Sequence, residues 1–200
     1  SLVWLANMGC IEMHPWLSRA DRADLPDFAV FDLDPQEGAT WAQVVHVARL
    51  VNVLLERLGL AGYPKTSGST GIHIYVPFEA EASYRRVRRF VETLGRMIAG
   101  ADPDNATMEW DIPKRGPRVF IDHNQNVGGK TIASVYSVRP KPGAPVSTPI
   151  LWDELDDVDP AWFTMATIWE RLRQYGDLFA PVLGGGQRLE NAERLLSIVP

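Results

Sequence analysis

Two long stretches of the chain alternate apolar and polar positions at helical spacing. The first, TWAQVVHVARLVNVLLERLGL at 40 to 60, sets His46, Arg49, Glu56 and Arg57 opposite its aliphatic residues. It predicts an amphipathic helix begun by Thr40 and stopped by Gly62, with His46 as a solvated helix residue. The second, SYRRVRRFVETLGRMIAG at 83 to 100, aligns Val87, Phe90, Val91, Leu94 and Ile98 in one stripe. Arg85, Arg88, Arg89 and Arg96 then lie mostly outside, read first as a solvated face and second as a nucleic-acid contact. Short runs of β character separate the helices: AVFDLD (29–34), YPKTS (63–67), GIHIYVP (71–77), RVFID (118–122) and KTIASVYSV (130–138). Strands interleaved with long helices predict an α/β or α+β domain around one sheet.

The last third changes character. PAWFTMATIWERLRQYG (160–176) reads as a helix, GDLFAPVLGGG (176–186) as a loop and QRLENAERLLSIV (187–199) as a final helix, which makes residues 152–200 a mainly helical part of one domain spanning 1–200. A chain of 200 residues, 46% hydrophobic, can bury the core this requires. Its single cysteine, Cys10, forms no internal disulfide and reads as a core filler in a reducing compartment. The seven tryptophans read as core before base-stacking platforms, although Trp16 and Trp110 lie near the motifs below. No segment is apolar for long enough to span a bilayer, and the start SLVWLANMGC lacks a basic leader, so a soluble intracellular protein is expected.

Charge sharpens the picture. The net charge of −5 argues against indiscriminate coating of nucleic acid. From Lys114 to Lys141, however, six cations stand against Asp122 alone, which suits a local phosphate site. The acids at 153 to 159 read as a solvated loop and helix cap.

In an extended strand, residues two apart share a face, so Asp32 and Asp34 project together while Phe31 and Leu33 point to the opposite layer. As a bare pattern the pair reads first as turn or capping acids before Pro35. Read chemically, two such carboxylates repel unless a cation joins them, and oxygen-only ligands suit Mg²⁺ or Mn²⁺ in a two-metal phosphoryl-transfer site. In SGSTGIHIYVP, alternation puts His73 opposite Ile72, Ile74 and Val76, after a small-residue turn whose amides and hydroxyls suit phosphate oxygens. RVFID delivers a third strand-end acid, Asp122, and alternation turns His123 away from the metal face.

EMHPW (12–16), VFDLDP (30–35), SGSTGIHIYVP (67–77), FIDHNQN (120–126), YSVRP (136–140) and the tail WERLRQYGDLF (169–179) occur in order, and together they resemble the polymerase domain of bacterial Ligase D. That domain is a branch of the archaeo-eukaryotic primase superfamily used in non-homologous end joining. The resemblance implies a primase-polymerase catalytic core with a central mixed or antiparallel sheet flanked by helices. It implies a nucleotidyltransferase that extends primer 3′ ends at DNA breaks or gaps, with Asp32, Asp34 and Asp122 holding Mg²⁺ or Mn²⁺ and Asp122 able to help take the proton. His14, Ser67, Thr70, His73, Gln125 and Arg139 would line the nucleotide, with Arg139 neutralising triphosphate charge, and Lys114 and Arg115 would meet DNA. The partners implied are primer-template DNA, nucleoside triphosphates, a DNA ligase and a Ku-type end-binding protein, in the cytoplasm at the bacterial nucleoid.

The chain departs from the family pattern at two places. Thr70 stands where the S-G-x-K-G turn carries lysine, which removes one expected cation. The family domain also opens roughly a hundred residues earlier, within usual domain sizes, so the chain reads as a fragment, as one whose missing contacts another chain supplies, or as a reduced form. The rival readings are a non-catalytic nucleotide- or DNA-binding remnant and a two-metal phosphodiesterase that activates water with the same acids.

Overall fold

A computed structural model of the chain describes residues 2–197. A short helix α1 (Leu2–Asn7) leads to strand β1 (Phe28–Pro35), followed by helix α2 (Trp41–Arg57), β2 (Tyr63–Thr66), β3 (Ile72–Pro77), helix α3 (Tyr84–Ala101), β4 (Ala106–Thr107), α4 (Ile112–Arg115) and β5 (Val119–Asp122). The chain closes with α5 (Ile168–Tyr175), α6 (Ala180–Gly184) and α7 (Leu189–Leu195). The strands form one sheet in the order β2-β3-β1-β5-β4. β1 pairs antiparallel with β3 and β5, β2 pairs antiparallel with β3, and β4 lies parallel to β5, so the sheet is mixed.

Local chemistry sets the two long helices. Thr40 and Gln43 form a reciprocal capping box at the start of α2, satisfying amides that the first turn would leave bare. The helix ends at Arg57 with Leu58 as its cap, and Gly59 with φ +70° turns the chain, three residues before the expected stop at Gly62. Gly62 is needed for packing instead, since a Cβ there would stand 2.6 Å from Leu55. Ser83 caps α3 through the Arg86 amide.

Both helices cover the same face of the sheet. Phe31, Leu33, Ile72, Ile74, Val76 and Ile121 meet Val44, Val47, Val51 and Leu55 of α2 and Val87, Phe90, Val91 and Leu94 of α3 in one buried core. Each large side chain so buried stabilises by about 1.5 to 3 kcal/mol against exposure. On the other face, Val30 and Tyr75 pack with Leu17, Ile132 and Phe179. Further along the strands that second face turns polar.

Several expected elements differ. Residues 130–138 form no strand: Tyr136 has φ 59°, and the amides of Ile132 and Ser134 bond the Pro15 and Met13 carbonyls instead of a strand partner. Residues 160–176 divide into a 3-10 turn at Pro160–Trp162 and α5, because the Thr167 hydroxyl donates to the Trp162 carbonyl at 2.5 Å and competes with a continuous helix. The expected 176–186 loop contains α6, with Pro181 in its first turn. The expected final helix covers Leu189–Leu195, and its residues 198–199 lie outside those described. β4, only two residues long, left no alternation to read.

Cys10 is exposed, not a core filler, because it follows the exposed helix α1. The tryptophans are not core either: Trp4, Trp16, Trp110, Trp162 and Trp169 are exposed, while Trp41 and Trp152 only pack against the core edge. The acidic run is partly tied down, with Asp156 on Arg49, Glu154 on Arg171 and Asp159 capping the 3-10 turn. His46 is paired as well, with Nε2 2.7 Å from Asp102.

Candidate active site

The end of β1 positions the acids. In register, Asp32 lies opposite His73 of β3 on one side and Asp122 of β5 on the other, and directly opposed residues share a face. Phe31 and Leu33 take the core face, so the alternation that builds the core also gathers Asp32, Asp34, Asp122 and His73. Beyond the β1–β5 pairing, the fully buried Asn126 side chain clamps Val30, accepting from its amide and donating to its carbonyl, both at 2.8 Å. It does for Val30 what a neighbouring strand would.

A cleft of about 240 Å³ opens over these acids, and His14, Asp32, Asp34, Ser67, His73, Gln125 and Arg139 all line it, as does Ser69. Asp122, paired with Asp32 across β1 and β5, accepts from the Asn124 amide at 2.8 Å and from Gln125 Nε2 at 3.4 Å. A larger cleft of about 660 Å³ lies elsewhere, among Leu60, Tyr63, Ile150, Trp152 and Phe179, and is chiefly apolar. The convergent ionisable groups belong to the smaller one, and chemistry follows them.

The β2–β3 turn is more occupied than its sequence suggests. The Ser67 hydroxyl accepts from the Ser69 and Gly71 amides, both at 3.1 Å, so these two amides are already used inside the turn. Arg139 reaches the turn through Nη1 to the Ser67 carbonyl at 2.6 Å and is held from behind by Glu12. Glu12 also lies 3.4 Å from His14, which explains why EMHPW belongs to the site although no run of the sequence connects it to Arg139. Lys141 donates to Ser69 Oγ. Thr70 is exposed and lines a neighbouring cleft with Pro35, Gln36 and Trp41, not the acid cleft.

Burial pushes Asp32 well above the usual carboxylate range, and the charges of Asp34 and Asp122 push it further, against the pull of Lys65. Asp34 is raised by burial and Asp122, opposed by Arg115 and Arg139. Asp32 Oδ1 is buried without a hydrogen-bond partner; His73 Nε2 is 3.3 Å away but out of alignment. His73 is held well below its ordinary value by burial and by Lys65. Lys65, fully buried, is itself lowered by burial to about 7.

Lys65 escaped the sequence reading. Its signal was the hairpin itself, since YPKT and IHIY on either side of SGSTG put Lys65 opposite His73. Lys114 and Arg115, expected together at DNA, separate. Lys114 is exposed beside Asp111. Arg115 is buried: its guanidinium stacks 3.5 Å from the Phe120 ring centroid and donates to the Glu109 and Trp110 carbonyls and to Gln36. Its charge acts inward, on Asp34. His123 faces α3, 3.3 Å from Arg88, on the side away from the acids.

A mixed five-stranded sheet covered by two helices, whose central strands set three carboxylates and a histidine on one face beside Arg139, is an α/β core of the primase-polymerase class. The chain belongs to the family of the LigD primase-polymerase domain, whose pattern it matches over residues 1–179. It is 32% identical over 197 residues to the multifunctional non-homologous end joining protein LigD of Pseudomonas aeruginosa, covering 97% of this chain and 24% of that protein. To the protein of the same description from Mycolicibacterium smegmatis it is 34% identical over 183 residues, 90% of this chain and 24% of the relative. The chain thus spans about a quarter of the length of these relatives. Its fold superposes on the polymerase domain of Mycobacterium tuberculosis Ligase D in complex with DNA with a TM-score of 0.80, at 32% identity, over all of this chain and 68% of that one.

Proposed function

We propose that the chain is a metal-dependent nucleotidyltransferase that adds nucleotides to primer 3′ ends at DNA breaks or gaps in non-homologous end joining. The observation that carries this reading is the meeting of Asp32, Asp34 and Asp122 on one sheet face, beside Arg139, Ser67 and His73. Attack of a 3′-hydroxyl on the α-phosphate of a nucleoside triphosphate, with pyrophosphate leaving, needs negative charge neutralised around both oxygens. Arg139 would take triphosphate charge, His73 and Ser67 would orient it, and His14 and Gln125 would border the nucleotide.

The donor set fits a hard divalent cation. All three acids offer oxygen, Asp32 Oδ1 lacks a partner, and the charge of Asp122 raises the pKa of both Asp32 and Asp34. Among the described residues no three acids, histidines or cysteines form a ready-made cage for an ion. That suits Mg²⁺, which keeps water and binds through one or two carboxylates plus substrate phosphates. Asp32, Asp34 and Asp122 would hold Mg²⁺ or Mn²⁺, which when bound supplies charge stabilisation to the attacking and leaving oxygens.

Primer-template DNA, nucleoside triphosphates, a DNA ligase and a Ku-type end-binding protein are the partners this reading implies, at the bacterial nucleoid. Among the described residues no helix is long and apolar enough to cross a membrane. Primer extension with labelled nucleotides and Mg²⁺ or Mn²⁺ tests the proposal. Elongation supports it; binding without turnover leaves a nucleotide- or DNA-binding remnant, and shortening of the strand makes the site a phosphodiesterase.

A further inference from the structure

We propose that Lys65 is a positioning residue that fixes His73 as the tautomer carrying its hydrogen on Nε2, the nitrogen turned toward Asp32 and the cleft. The pairing of β2 with β3 sets the two residues opposite each other, and Lys65 Nζ lies 3.0 Å from His73 Nδ1. The direction of that bond follows from the neighbours. Ser147 spends its one hydroxyl hydrogen on the Thr66 carbonyl at 2.8 Å, so its oxygen accepts from Lys65, which bonds it as well. The Tyr75 ring, 5.8 Å from Nζ at its centroid, adds a cation-favouring surface. Below the pH of about 7 to which burial lowers it, Nζ is an ammonium, with hydrogens to give and no lone pair to receive. Nδ1 is therefore the acceptor, and the ring hydrogen resides on Nε2.

The consequence for nucleotide handling rests on the polymerase reading above. Nε2 is 3.3 Å from Asp32 Oδ1 but out of line with it, so its hydrogen remains available to a phosphate oxygen entering beside Ser67 and Arg139. With the opposite tautomer, Nε2 would present a lone pair to that phosphate. Lys65 touches no solvent-facing part of the cleft, being fully buried, so it acts through His73.

The test begins on the intact, unmodified chain at pH 6, where Lys65 holds its third hydrogen while the lowered His73 stays neutral. A long-range ¹H–¹⁵N correlation spectrum, with the His73 signals identified by their loss in His73→Gln, reads the tautomer directly. An unprotonated Nδ1 with a protonated Nε2 is the expected result; a protonated Nδ1, an even mixture or an imidazolium would overturn the proposal. Primer extension with ATP and Mn²⁺ at the same pH then compares Lys65→Met, which cannot donate, with Lys65→Gln, whose amide can. The methionine variant should raise the KM for ATP roughly ten- to a hundredfold, as expected for loss of a strong hydrogen bond. It should affect kcat less and give a mixed tautomer spectrum, and the glutamine variant should recover most of the loss. Equal impairment of both variants, with the wild-type tautomer retained in each, would also overturn it. If Lys65→Met does not fold, the wild-type spectrum still decides. If the wild type extends no primer, the polymerase reading fails while the spectrum independently judges Lys65.

Discussion

Asp32 is a residue whose charge the fold opposes. Its folded pKa is raised, so the folded state holds the proton more tightly than the unfolded chain, whose aspartates titrate near 3.9. Without metal, the ionised form therefore destabilises the fold above the folded pKa, and that penalty disappears as pH falls toward the unfolded value. Asp32→Asn should consequently be more stable than wild type in chelator at pH 7.5. The difference should vanish near pH 4, and nucleotide addition should be lost throughout. Urea titrations at both pH values check this; a destabilised variant at pH 7.5 would mean that the carboxylate is paired. Lys114 and Arg115 make the contrasting case. Lys114→Ala should lower the slope of log DNA affinity against log salt by about 1. Arg115→Ala should instead cost about 2 kcal/mol or more of stability through its lost buried hydrogen bonds. A fully stable Arg115→Ala with a reduced salt slope would restore Arg115 to the surface. At this scale the sequence made the acids, His73 and Arg139 legible because strand alternation and motif order point to them. It concealed Lys65, Glu12 and Asn126, whose roles depend on pairings between distant segments, and it could not tell a buried arginine from an exposed lysine next to it.

The β2–β3 turn shows how an element positions the site. Gly71 lies against β1 so closely that a Cβ would stand 2.3 Å from the Leu33 carbonyl oxygen, a backbone atom that cannot step aside. Gly71→Ala should therefore destabilise by about 1 to 3 kcal/mol and impair nucleotide addition, because it pushes His73 and Ser67 away from the acids. Gly100, exposed near the end of α3 with nothing within 4 Å of its Cβ position, is the control. Gly100→Ala should stabilise by about 0.5 to 1 kcal/mol without changing activity. Thermal melts of both variants check the pair, and a neutral Gly71→Ala would show that the turn can relax. The long helices were legible because seventeen or eighteen residues repeat one period and carry clear caps. Residues 130–138 and 160–176 misled because a positive φ and a threonine hydroxyl, local events without periodicity, end what composition alone would continue.

Across the whole molecule, the C-terminal segment is fastened to the central sheet. Phe78 bridges Gln187, a Cβ on Gly186 would stand 2.0 Å from the Glu79 amide, and the buried Glu193 receives Arg86 at 2.5 Å. Glu193→Ala should cost about 2 kcal/mol, less than a fully buried pair because Arg86 can still reach water. Unfolding should remain one transition, with tryptophan fluorescence and far-ultraviolet circular dichroism coinciding; separated transitions would mean that the C-terminal part melts by itself.

The pairing of Asp32 with both His73 and Asp122 makes β1 a ruler for the molecule. A single residue deleted between Phe28 and Asp32 would move every later side chain of that strand to the opposite face, driving Asp32 and Asp34 into the layer held by Phe31 and Leu33. Such a lesion could not spare the fold while sparing the site, or the reverse. Length changes in this strand should therefore be purged as a class, whereas single substitutions among its acids can silence the chemistry and leave a well-folded chain behind.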